Sequence, residues 1–241
     1  MGERAERYRA ELRALRVWEP YLRRNSGLPG PRANLELVAA VGDEAPAELL
    51  WRLSGSDDEF LALCGTAGLG RLAAANPPQV IARLRDLACD ARWRVREAVA
   101  IALQRLGSDD MEMLLREMKA WSEDGPFVQR AAAAGLCEPA LLKRQADVAV
   151  VLKILDRITQ SMAGSSERLE SVGSALRKAL GYCWSVAAAA SPPLGMPYIE
   201  RWSRSTDPDV QWVMRTNMAK ARMAGLRTAT PRTLTTRQAG R

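Results

Sequence analysis

The chain has 241 residues, 47% of them hydrophobic, and a formal net charge of +7, with arginine outnumbering lysine 30 to 5. It contains no histidine, which excludes histidine acid–base catalysis, a serine triad and ordinary zinc sites. No apolar run approaches the roughly 20 residues needed to span a bilayer, and the alanine- and leucine-rich composition favours a folded, helical, non-membrane chain.

In chain order, residues 3–24 predict a helix with Leu12, Leu15 and Trp18 on one side and a kink or stop at Pro20. The charged opening MGERAERY has no secretory pattern, so a cytoplasmic location is expected. Residues 25–31 (NSGLPGP) read as a linker. Residues 33–41 and 46–53 predict a first helix pair. Pro77-Pro78 opens the helix that leads to Cys89. Residues 109–121 begin a further unit, broken at Gly125-Pro126. Long helices are predicted over 141–162 and 167–190, separated by a loop at 163–166 and ended by Ser191-Pro192-Pro193. Segments 196–203 and 209–223 complete the periodic part. Residues 228–241 are basic and aperiodic, and are expected to be disordered.

The stretch DARWRVREAVAIALQRLG, from Asp90 to Gly107, supplies a pattern: Asp90, Trp93, Arg96, Ala100. Asp124, Phe127, Arg130, Ala134 and Asp209, Trp212, Arg215, Ala219 follow the same spacing, and Asp57, Phe60, Leu63, Ala67 a weaker version of it. The starts at 57, 90 and 124 lie 33 and 34 residues apart, and the last step, to 209, leaves room for a degenerate copy. A period of this length is the mark of a solenoid. The aspartate suits a helix start, the aromatic fills space between helices, and the arginine is placed to reach the aspartate of a neighbouring repeat.

The run Val95-Arg96-Glu97-Ala98 through Leu106-Gly107, with DPDVQWVMR further on, resembles the short bacterial form of the HEAT repeat. The resemblance covers residues 57–222. It implies an all-α, right-handed α-solenoid of about five stacked antiparallel helix pairs over residues 31–227, preceded by an N-terminal helix and linker at 1–30. It also implies a protein that binds other macromolecules. A smaller branch, the HEAT-like alkylpurine DNA glycosylases, uses a catalytic aspartate and tryptophans on the concave face.

The candidate partner-binding residues are Trp93, Arg94, Arg96, Trp121, Arg130, Trp212, Arg215, Lys220 and Arg222. The recurrence of Trp93, Phe127 and Trp212, and of Arg96, Arg130 and Arg215, first suggests structural roles; base stacking and phosphate contact are the alternatives. The arginine excess has two readings, phosphate recognition and GC-rich coding. Charge is uneven: residues 215–241 hold seven basic side chains and no acid. Tyr182, Trp184, Tyr198 and Trp202 read as packing first and a ligand groove second. In WSED, Asp124 and Glu123 are the candidate catalytic carboxylates. Cys64, Cys89, Cys137 and Cys183 read as small core residues; no metal or cofactor is expected. The sequence points to a non-catalytic binding scaffold whose partner is a protein, with nucleic acid next. The alternative is a DNA-repair protein related to the glycosylases, active or DNA-binding only. A glycosylase should bring a carboxylate and two tryptophans onto one arginine-lined patch, and a scaffold should leave them buried or scattered.

Overall fold

A computed structural model describes residues 3–163 and 172–226. The tail expected at 228–241, the loop at 164–166 and the start of the helix predicted from Glu167 lie outside the described residues. Among those described there are thirteen α-helices, two 3-10 segments and no strand. The helices are α1 (Glu3–Arg13), α2 (Glu19–Arg24), α3 (Leu35–Glu44), α4 (Ala47–Ser54), α5 (Glu59–Leu69), α6 (Pro77–Leu87) and α7 (Trp93–Asp109). They continue with α8 (Met111–Trp121), α9 (Pro126–Leu136), α10 (Gln145–Ala163), α11 (Val172–Ala190), α12 (Pro192–Ser203) and α13 (Pro208–Met218).

Local chemistry explains the helix starts. Proline occupies the first turn of α2, α6, α9, α12 and α13, where its missing N–H costs no hydrogen bond. Asn34, Asp58, Asp110 and Asp207 accept backbone N–H groups at the starts of α3, α5, α8 and α13. The helix expected over 3–24, kinked or stopped at Pro20, is two helices: the break comes earlier, at 14–18, and Pro20 sits in the first turn of α2. The prolines at 192 and 193 begin α12 as well as follow α11.

The helices form two layers. The odd-numbered ones lie side by side, each packed against the next from α1 to α13. Each even helix from α4 to α12 leans on the odd helix that follows it, and α10 also touches α8 and α12. This makes five pairs, α4–α5 through α12–α13. The sequence pairing of 33–41 with 46–53 is therefore off by one element. Leu50 and Leu53 of α4 are buried, and the principal neighbour of α4 is α5, whereas α3 packs on α1 and α5. One apolar core runs through the array, from Tyr8 to Met223. Three of the four cysteines belong to it, and Cys89 is exposed.

The repeat is real, but its register differs from the sequence pattern. The residues that cap the odd helices are Asn34, Asp58, Arg92, Gly125 and Asp207. Three positions after each cap stands a buried aliphatic residue: Leu37, Leu61, Val95, Val128 and Val210. On this ruler Trp93 is the first residue after its cap, Phe127 the second and Trp212 the fifth, so the three aromatics do not share a slot. Asp90 and Asp124 precede their caps. Asp90 instead accepts the Arg92 backbone N–H at 2.8 Å. Asp209 lies in the first turn behind the true cap, Asp207.

The arginine ladder also runs through other positions than the pattern supposed. Arg9 pairs with Asp43, Arg23 with Asp58, Arg94 with Glu59 and Arg177 with Asp209, each bridging 32 to 35 residues. These are steps of about one repeat. Arg71 caps a helix end, donating to the carbonyls of Gly42, at 2.8 Å, and Ala45, which the end of α3 leaves without intrahelical partners.

Candidate partner-binding groove

A groove of about 1460 Å³ runs along the odd-helix layer from α1 to α11. Its floor is small and apolar, with Leu63, Ala100, Ile101, Ala134, Ala175 and Ala179.

Trp93 opens α7 and stands 52% exposed in the groove. The Arg94 guanidinium lies 4.5 Å over its ring, donates to Glu59 at 2.9 Å and reaches the Gly30 carbonyl at 3.2 Å. Arg96 donates to the Asp90 and Ala91 carbonyls at 2.5 and 2.9 Å and lies 4.8 Å over the Phe127 ring of the next repeat. Arg130 donates to the Arg96 carbonyl at 3.0 Å and pairs with Glu97. These three arginines line the groove, yet their charge is largely committed to the protein itself. A different set is unpaired: Arg24, Arg32 and Lys178 are exposed groove residues with no ion-pair partner among the described residues.

At the far end Tyr182 of α11 is 43% exposed. Arg222 lies 4.7 Å over its ring and donates to its hydroxyl at 3.2 Å. Arg222 thus joins the groove edge through Tyr182. Sequence reasoning ranked Tyr182 with its packing neighbours. Trp184, only two residues away, is fully buried and donates to Thr159 at 3.0 Å. A two-residue offset turns a helical side chain to roughly the opposite face, and that was the available signal.

The remaining sequence candidates do not converge on the groove. Trp121 is buried in the core. Trp212 is half-buried on α13 beneath the Arg177 guanidinium, 4.7 Å away. Arg215 is exposed and contacts only Gln211 of its own helix, at 3.5 Å; Lys220 is half-buried beyond α13. Asp124 and Glu123 stand between α8 and α9, outside the groove lining. Asp124 pairs with Arg85 of α6 and Glu123 with Arg157 of α10. The carboxylates and tryptophans are scattered.

Burial, with a smaller push from Cys183, holds the Cys137 thiol on the groove wall well above its usual range, so it stays neutral and is a poor nucleophile. No cluster of metal-binding side chains occurs among the described residues. Among the described residues, no helix is long and apolar enough to cross a membrane.

Two layers of helices tied by ion pairs that span about one repeat, with a groove along one layer, define an α-solenoid repeat protein. The family model of the HEAT repeats matches residues 46–137, the segment from the start of α4 to the end of α9. Over that segment the chain is similar to HEAT repeats, and the row of odd helices continues on both sides of it. No curated protein and no solved structure matches the chain.

Proposed function

We propose that the chain is a non-catalytic scaffold that holds a segment of another protein in the groove of its odd-helix layer. The observation that carries this reading is the groove itself. At about 1460 Å³ it exceeds the roughly 300–1,000 Å³ of small-molecule pockets, and it crosses successive repeats, as the binding surfaces of solenoids do. Small floor residues and an exposed tryptophan suit contact with side chains of a partner.

A second reading, nucleic acid, draws on the two exposed rings, Trp93 and Tyr182, each with a guanidinium on its face, an arrangement that also suits base stacking. For base excision, nothing in the geometry speaks in favour: the candidate carboxylates stand away from the groove and already have arginine partners. Incubation with alkylated DNA, comparing wild type with Asp124→Asn and Glu123→Gln, tests that alternative directly.

The scaffold reading is tested by placing a photo-crosslinking amino acid at Trp93 in the groove or at Arg116, exposed on α8, in cells. A discrete adduct from the groove position alone, removed by protease and resistant to nuclease, is the expected result. Equal adducts from both positions would sink the groove assignment. A nuclease-sensitive adduct would move the reading to nucleic acid.

A further inference from the structure

Resting on the scaffold reading, we infer that the groove selects an acidic segment with an apolar centre. The argument is charge complementarity set against the shape of the floor. The unpaired cations lie toward the groove's two ends: Arg24 and Arg32 come from the α2–α3 region, and Lys178 comes from α11. Between them lie the apolar floor and Trp93. The exposed side chain of Leu35 adds apolar surface at the first end. An occupant that satisfies this arrangement carries carboxylates near its ends and apolar side chains in its middle.

The same features disfavour a polyphosphate. Glu36, Glu97 and Glu138 line the groove too, and the Glu36 and Glu97 side chains are about half exposed, at 47% and 49%. A nucleic acid strand carries a charge at every nucleotide, about 3.4 Å of rise apart in a duplex, and would press phosphates against these carboxylates. A peptide can put its acids only where the free cations are. The length follows from the packing. Five odd helices, α3 to α11, separated by about 8–10 Å each, span roughly 32–40 Å, which an extended chain at about 3.3–3.6 Å per residue crosses with about ten residues.

The experiment is a selection of random dodecapeptides displayed on phage against the immobilised full chain. Four proteins are compared, the fourth being Trp93→Ala. One is the wild type. The second carries Arg24→Glu, Arg32→Glu and Lys178→Glu. The third carries Arg16→Glu, Lys143→Glu and Arg204→Glu, exposed positions outside the groove that lower the net charge by the same amount. All six substitutions are at exposed sites, and matching thermal melts confirm folding before selection. Wild type and the third protein should enrich peptides with Asp or Glu flanking an apolar centre. The groove variant should bind those peptides at least tenfold more weakly, and Trp93→Ala should weaken them without changing the preference for acids. Enrichment of basic or neutral peptides, or acidic enrichment retained by the groove variant, overturns the inference. Displacement of the selected peptides by a twelve-nucleotide oligothymidylate at lower concentration than by free peptide overturns it in favour of nucleic acid. If acidic selection fails while the groove-only crosslink from Trp93 persists, the scaffold survives and only the acidic chemistry is lost.

Discussion

The seam between α7 and α9 and the seam between α11 and α13 join neighbouring odd helices in the same way and are held by different groups. In each, a glycine receives a side chain from the other helix. A Cβ on Gly135 would stand 2.8 Å from the Leu103 Cβ, and one on Gly181 would stand 2.8 Å from the edge of the Trp212 ring. Beyond this the seams part. The α7–α9 seam is closed at the groove rim by Arg130, which bridges to the Arg96 carbonyl and Glu97. The α11–α13 seam is closed at its centre by Asn217, fully buried. Asn217 donates to the Leu180 and Val213 carbonyls at 2.8 and 2.7 Å and accepts the Ser185 N–H at 2.7 Å. One seam uses a long, nearly buried side chain on the groove wall, and the other a short one in the core. The lesson is that the two seams share a glycine that takes in a side chain from the facing helix and leave the rest of the join's chemistry free.

The comparison can be broken most sharply at Asn217. Asn217→Ala removes three hydrogen bonds from a buried seam, and we expect a loss of about 2–4 kcal/mol, read as a lower urea midpoint. A change under about 0.5 kcal/mol, the scale of ordinary surface substitutions, would show that apolar packing alone holds α11 to α13.

Next come the glycines. Gly135→Ala should cost about 1–3 kcal/mol, as overpacking does. Gly181→Ala should cost less, because a ring edge can swing aside whereas the Leu103 Cβ moves only with its backbone. The reverse order in paired thermal melts would mean that the α11–α13 seam is the more rigid.

Arg130→Ala should destabilise by roughly 1–2 kcal/mol through lost packing and a lost charged hydrogen bond. Glu97→Ala should cost well under about 1 kcal/mol, since its half-exposed carboxylate is an ordinary surface partner. A double-mutant cycle with a coupling energy near zero would make the carbonyl contact, and not the ion pair, the rim's main fastening.

A smaller effect concerns the start of α7, where hydrogen bonding by Arg92 holds the Asp90 carboxyl below its usual range. A depressed folded-state value means stability that is present above the unfolded carboxylate range of about 3.9 and lost as pH falls through the folded value. Asp90→Asn should therefore lower stability at neutral pH, with the gap from wild type closing in the acid range. A gap that stays constant down to full protonation would remove the charge from the explanation. Arg215→Ala, at an exposed side chain that bonds to Gln211 of its own helix, should change stability by less than about 0.5 kcal/mol.

Much of the fold was legible in the sequence. Helix starts are written in local residues: Pro77, Pro126 and Pro208 in the first turns of α6, α9 and α13, and the capping aspartates Asp58, Asp110 and Asp207 of α5, α8 and α13. The alanine and leucine periodicity marks the helices themselves, and the period of 33 to 34 residues marks the stacking, because each pair has an apolar face that only a neighbour can cover. These are short-range facts, and a sequence determines them alone. Which side chain faces which was decided by the tertiary structure. Each residue step turns a helical side chain by about 100°, so cap positions off by one or two residues, in opposite directions at α7 and α13, put Trp93 in the groove and Trp212 in a seam, although the spacing had placed them together. The same holds for charge. Thirty arginines look alike in the sequence, and only the packed layers separate those tied to carbonyls and carboxylates, such as Arg96 and Arg130, from those left facing an open groove, such as Arg24 and Arg32. Pairing depends on residues a full repeat away, and those distances exist only once the helices are stacked.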